Sequence, residues 1–160
     1  MTKRYKVGVV GCGSIAKERH IPALKANPRI SLSTVYDHHW PNAEKTAEDY
    51  NIQNIYDDYE LFLASDLDLV TISTPPFTHA EYTVKALKTE TNVFCEKPMA
   101  VELEDAKSMI SAAERSSAEL GIVHNFLLLT IRPKSYAART RRKVWRHSVR
   151  KRDPIQQSAP

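Results

Sequence analysis

No apolar run in the 160 residues approaches the roughly 18 that a membrane-spanning helix needs, so no membrane partner is expected. The opening Met1-Thr2-Lys3-Arg4 leads directly into a strand-like stretch without a cleavable apolar segment. Two cysteines, Cys12 and Cys95, are too few for a disulfide framework. Together these absences lead us to expect a cytoplasmic protein with free thiols. Acidic residues are also missing from one end. Residues 126–160 hold ten basic side chains and a single acid, a charge of +9, whereas residues 1–125 carry −5. The net +4 and the basic pI of about 9.1 therefore belong to the tail. The length suits one domain with a proper core.

Glycine is scarce as well, with four in the chain, yet Gly8, Gly11 and Gly13 stand close together. They lie in Val7-Gly8-Val9-Val10-Gly11-Cys12-Gly13-Ser14-Ile15-Ala16. Tyr5, Val7, Val9 and Val10 before the turn form the β-branched and apolar run of a buried parallel strand. Ile15, Ala16, Ala23 and Leu24 after it fall at helical spacing. Gly11 permits a tight turn, Gly13 leaves the backbone open to a pyrophosphate, and Ala16 is small enough for close helix–strand packing. The helix start then offers free N–H groups to a phosphate. Cys12 in this turn reads either as a reactive thiol or as a small turn filler.

A second strand, Ile30 to Asp37, ends in a carboxylate 21 residues past Ala16. That is where a dinucleotide-binding fold carries the acid that accepts hydrogen bonds from a ribose. The alternative is that Asp37 only caps the loop before His38-His39-Trp40-Pro41. A carboxylate favours NAD, while His38 or His39 leaves room for NADP.

The remaining pattern alternates strands with helices, which predicts an α/β fold with a doubly wound parallel sheet. Helices are expected over residues 14–26, with a kink or break at His20-Ile21-Pro22, and over residues 42–50, 57–63, 78–87 and 103–117. Strands are expected over 52–56, 67–72, 91–95 and 121–125. Thr78 and Glu81 have the spacing of a capping box. Leu103, Ala106, Ile110 and Ala113 are expected to share one face of the last helix. Ser73-Thr74-Pro75-Pro76-Phe77-Thr78-His79 and Glu96-Lys97-Pro98 both follow strand ends, where such sheets bind ligands. Glu96 and Lys97 read on their own as a surface ion pair, and His20 and His124 as structural.

Gly11-Cys12-Gly13-Ser14-Ile15-Ala16, Ser73-Thr74-Pro75-Pro76 with His79, Cys95-Glu96-Lys97-Pro98 and His124-Asn125 occur in that order. Together they resemble the N-terminal Rossmann domain of the glucose–fructose oxidoreductase / inositol dehydrogenase / MocA-like (Gfo/Idh/MocA) family. The resemblance covers residues 4–127. It implies NAD(P)-dependent hydride transfer to or from a sugar, cyclitol or related polyol. By that resemblance Gly11, Gly13, Ser14 and Ile15 would cradle the pyrophosphate, and Asp37 would hold the adenosine ribose. Thr74, Pro75 and His79 would line the nicotinamide-side ribose. Glu96 and Lys97 would sit beside the nicotinamide, with Lys97 catalytic through the substrate hydroxyl proton, and Asn125 would contact the ring or substrate. No metal is implied.

Family members continue into a second, mixed α/β domain that supplies most substrate contacts. The stretch after Leu127 departs from the family in composition and spacing. We therefore expect a cofactor-binding domain over residues 1–127 and a poorly ordered basic tail over residues 128–160. A frameshift or truncation, an authentic short form and a nucleic-acid-binding arm all suit the tail. Arg139, Arg141, Arg142 and Lys143 could meet phosphates, but no groove-reading motif accompanies them and specific nucleic-acid binding is not expected. The chain alone should bind cofactor with little or no turnover. The rival reading is a non-catalytic dinucleotide-binding module or a basic-tail interaction protein. The edge that a second domain would cover is a candidate surface for self-association.

Overall fold

β-branched residues concentrate in the strands, and the strands are buried on both faces. Val7, Val9, Val10, Val35, Val70, Ile72 and Val93 are each at most 2% exposed, as a parallel sheet covered by helices requires. A computed structural model of the chain describes residues 3–124. Asn125 and the basic tail over residues 128–160 lie outside the described residues.

Six strands, β1 (Tyr5–Val10), β2 (Ile30–Tyr36), β3 (Asn54–Tyr56), β4 (Leu69–Ile72), β5 (Asn92–Cys95) and β6 (Leu120–Ile122), form one sheet. Every neighbouring pair is parallel, in the order β3-β2-β1-β4-β5-β6. The chain winds outward from β1 in one direction, then returns to β4 and winds out in the other. This is the doubly wound Rossmann order. Most strands are one or two residues shorter than the sequence predicts.

One face of the sheet carries α1 (Ile21–Ala26) and α2 (Trp40–Tyr50) over a core that includes Val9, Ala16, Ile21, Val35 and Ala47. The other carries α3 (Tyr59–Leu63), α4 (His79–Lys88) and α5 (Leu103–Arg115). Its centre is aromatic. Tyr36, Tyr59, Phe62 and Tyr82 pack with ring centroids from 4.7 to 5.8 Å apart, and the Tyr36 and Tyr82 hydroxyls lie 3.1 Å apart. Among the described residues no helix is long and apolar enough to cross a membrane.

Local detail departs from expectation at three places. The kink or break expected at His20-Ile21-Pro22 takes the form of a π-turn over Ala16–His20, which runs directly into α1. Pro22 has no N–H to give, and the Ile21 N–H reaches back five residues to Ala16 O, so the helix continues by widening. The Thr78–Glu81 capping box does not form. A 3₁₀ turn, Pro76–Thr78, precedes α4, and Thr78 makes no side-chain cap bond. Its Oγ1 instead lies 2.8 Å from both Thr74 Oγ1 and Pro75 O, while Glu81 pairs with Lys85. In α5 the buried residues are Met109 and Ala112. Leu103 and Ile110 are 69% and 49% exposed, because α5 packs on α4 through the neighbouring face.

Gly8 is required by packing. A Cβ there would stand 2.5 Å from Phe62 Cζ and 2.8 Å from Leu67 Cδ1, and Phe62 is fully buried within the aromatic cluster. Gly8→Ala should destabilise the chain by about 1–3 kcal/mol, read as a lower denaturant midpoint with an unchanged slope.

Candidate functional site

Where the winding reverses, between β1 and β4, the chain leaves the C-terminal edge of the sheet in two loops that must pass close together. Gly11 makes this passage fit. It has φ +88°, and a Cβ there would lie 2.8 Å from Thr74 Cγ2 and 2.9 Å from Thr74 N. The Ser73 N–H donates to Val10 O at 2.8 Å, and Ser73 Oγ lies 3.1 Å from Gly11 O. On the other side, the Gly11 N–H donates to Tyr36 O at 2.8 Å. The turn is thus tied to the strands on both sides of it.

Asp37 lies under the same turn. Its Oδ2 accepts the Cys12 N–H at 2.8 Å and its Oδ1 accepts the His39 N–H at 2.9 Å. The residue is 6% exposed. His38, mostly exposed, brings Nδ1 to 3.3 Å from Oδ1. Asp37 therefore does cap its loop, and it also fixes the glycine turn. A carboxylate has about four lone-pair sites, so two backbone donors leave capacity for a ligand hydroxyl.

Beyond the turn the backbone opens. A Cβ on Gly13 would meet nothing within 4 Å, the reverse of Gly11. Helical structure begins at Ser14, whose side chain, like that of Ile15, is exposed, while Ala16 is fully buried against the sheet. The first N–H groups of a helix have no carbonyl partner in the preceding turn, and here they adjoin the open space beside Gly13. The arrangement fits an anionic group that approaches the backbone.

The Glu96-Lys97-Pro98 turn follows β5. The Glu96 N–H donates to Ile72 O at 2.9 Å, and the Lys97–Pro98 peptide bond is cis. Glu96 does not pair with the Lys97 ammonium. Its Oε1 lies 2.8 Å from His20 Nε2, with the two side chains 15% and 9% exposed, and its Oε2 accepts the Lys97 N–H at 3.1 Å. Lys97 itself is exposed and has no carboxylate partner among the described residues. His79 also departs from expectation. It is 1% exposed, with Nε2 2.9 Å from Thr74 O and Nδ1 2.9 Å from Pro98 O. His79 is thus buried between the two loops, with one backbone carbonyl from each at hydrogen-bond distance from its ring nitrogens. Thr74 and Pro75 stand at the edge beside Gly11. Among the described residues no cluster of His, Cys, Asp and Glu could hold a metal ion.

The model of the oxidoreductase family with an NAD-binding Rossmann fold, GFO_IDH_MocA, matches residues 5–124. The chain belongs to the Gfo/Idh/MocA oxidoreductase family. Among curated Gfo/Idh/MocA relatives, glucose-6-phosphate 3-dehydrogenase of Bacillus subtilis is 34% identical over 125 residues, 78% of this chain and 35% of the relative. Among solved structures, KijD10, a 3-ketoreductase from Actinomadura kijaniata in complex with NADP and TDP-benzene, superposes with TM-score 0.72 at 27% identity, covering 88% of this chain and 42% of that one. The WlbA dehydrogenase of Bordetella pertussis, in complex with NADH and UDP-GlcNAcA, gives TM-score 0.72 at 26% identity, covering 76% and 35%. The chain spans 35–39% of the length of the first curated family members that it matches.

Sequence reading missed His20 as a partner of Glu96. The two are 76 residues apart, and the only local sign was a histidine two residues before the proline of a glycine-turn helix. Both thiols are free and buried. Burial pushes Cys12 up to about 11 and Cys95 up to about 12. At pH 8 the Cys12 thiolate is then on the order of one part in a thousand. The native chain should react negligibly with an aromatic disulfide reagent at that pH, and both thiols should titrate promptly once it is denatured.

Proposed function

We propose that this chain holds NAD(P)H across the C-terminal edge of its sheet, as the cofactor-binding part of an oxidoreductase acting on a sugar, cyclitol or related polyol. The observation that carries the reading is the contrast between Gly11 and Gly13. One is packed solid against Thr74, and the other opens onto empty space at a helix start. Gly13, Ser14 and Ile15 offer backbone N–H groups to the pyrophosphate, with Gly11 setting the turn. Asp37 accepts the hydroxyls of the adenosine ribose. Its negative charge disfavours a 2′-phosphate there, which inclines the chain to NAD over NADP. Thr74 and Pro75 border the nicotinamide-side ribose, and His79 holds that loop in place from behind. Asn125, outside the described residues, is assigned to the ring or substrate.

The cofactor, when bound, supplies or accepts the hydride. Lys97 extends from the turn after β5, and its Nζ exchanges a proton with the substrate hydroxyl as the carbon is oxidised or the carbonyl reduced. Glu96 holds the Lys97 backbone through Oε2. Sugar chemistry is supported by the relatives, which include glucose-6-phosphate 3-dehydrogenase and dTDP-3,4-didehydro-2,6-dideoxy-alpha-D-glucose 3-reductase. We assign residues 1–127 to the cofactor domain and residues 128–160 to a separate basic segment. The 160 residues alone then bind cofactor with little or no turnover, since most substrate contacts would come from outside the Rossmann domain.

Titration with NADH and NADPH, followed by nicotinamide fluorescence, tests the reading. NADH should bind saturably and at least about tenfold more tightly than NADPH, a gap of ~1.4 kcal/mol. Asp37→Asn keeps an oxygen for the Cys12 N–H but removes the charge, and should bring the two affinities to within about threefold. Absence of saturable binding for both nucleotides would refute the proposal.

A further inference from the structure

We infer that His20 is a positioning residue for the nicotinamide end of the site: through Glu96 it fixes the turn on which Lys97 stands. The inference rests on the cofactor reading above, and it adds a residue that neither spacing nor the glycine motif points to.

The helix after the glycine turn has to bury Ala16 and Ile21 on the same sheet face, and both are fully buried. Five residues apart, they would face about 140° away from each other on a regular α-helix. The π-turn over Ala16–His20 brings them to one side. His20, at the end of that turn, thereby reaches the C-terminal edge of the sheet, next to Glu96. A π-turn inside a helix often marks a functional position, and here its product is a specific contact between two distant segments.

His20 Nε2 lies 2.8 Å from Glu96 Oε1, and the side chains are 9% and 15% exposed. With the carboxylate accepting, the ring must donate from Nε2. Water competes little for a bond so nearly enclosed. The other carboxylate oxygen accepts the Lys97 N–H at 3.1 Å, so the carboxylate transmits the position of the helix to the backbone of Lys97. His79 reaches the same turn at Pro98 O, 2.9 Å from Nδ1. The turn is thus held by one histidine from the glycine-turn helix and another from α4.

Among the described residues, losing the His20 ring leaves a nearly buried carboxylate with the Lys97 N–H as its only remaining partner at hydrogen-bond distance. Glu96 must then turn to find water, and the backbone of Lys97 loses its anchor. The pyrophosphate and adenosine parts of the site hang on separate bonds, those of Gly11, Cys12 and Asp37, and should not feel the change. His20 therefore affects one end of the dinucleotide and not the other. A residue needed only for folding would weaken both.

Calorimetric titration of the 160-residue chain with NADH and with ADP-ribose, which lacks the nicotinamide, reads this split. His20→Ala should leave ADP-ribose affinity within about twofold and weaken NADH by at least about fivefold. His20→Gln, whose amide donates from a similar position, should recover NADH binding to within about twofold of the parent. Should His20→Ala not fold, as judged by circular dichroism, Glu96→Ala removes the same bond from the other side and must give the same split. Equal losses for both ligands, an unchanged NADH affinity, or no recovery with Gln would each overturn the role of His20. A parent chain that binds neither ligand would overturn the cofactor reading itself, an outcome distinct from one in which the parent binds both and His20→Ala changes nothing.

Discussion

The contact between Gly11 and the Thr74 backbone is the constraint on which the ligand edge depends. Two loops leave the sheet at the point where its winding reverses, and nothing larger than a hydrogen fits between them. A positive φ at Gly11 turns the chain away from β1, and the Ser73 N–H closes the other side onto Val10. From this follow the direction of the helix, the exposure of Gly13 and the placement of Asp37 beneath the turn. Asp37 answers with its own bond to the Cys12 N–H, so the acid to which we assign the ribose also secures the glycine loop. In that proposal structural and binding roles coincide in one carboxylate.

Much of this was legible in the sequence, because its causes are local. The glycine spacing, the distance from Ala16 to Asp37 and the alternation of apolar runs depend on near neighbours, and they fix strand, turn, helix and acid in order. The errors arise where distant residues decide. Leu103 and Ile110 have helical spacing with Ala106, yet the residues that α5 buries in the core are Met109 and Ala112, with Ala113 packed against the same cluster. Thr78 has the right partner three residues on, but the 3₁₀ turn before α4 directs its hydroxyl backwards. His79 sits in a loop motif that suggests contact with ligand, and only the folded chain shows it buried, with the Thr74 and Pro98 carbonyls 2.9 Å from its ring nitrogens. The Glu96–His20 pair has a sequence separation that no periodicity reports.

The two edges of the sheet differ in a way that bears on function. A cavity of about 490 Å³ lies at the opposite edge, lined by residues that include Tyr5, Ile30, Leu69, Asn92, Phe94 and Leu120, most of them the first residues of their strands. Open α/β sheets take their ligands at the C-terminal ends of strands, at the switch point. The C-terminal edge carries instead the loops of the proposed site, in which three short turns are cross-braced by His20, Asp37 and His79. Related structures of the same fold hold NADP in one case and NADH in another. The fold therefore admits either nucleotide, and our proposal gives the choice to side chains such as Asp37 and His38.

The most direct test is to map NADH on the nitrogen-labelled chain by amide chemical shifts. The account predicts that the perturbed amides cluster at Gly11, Cys12, Gly13, Ser14, Asp37 and Thr74, at the C-terminal ends of β1, β2 and β4. Shifts confined to Tyr5, Phe94 and Leu120, around the cavity at the opposite edge, would contradict it, as would a spectrum that NADH leaves unchanged.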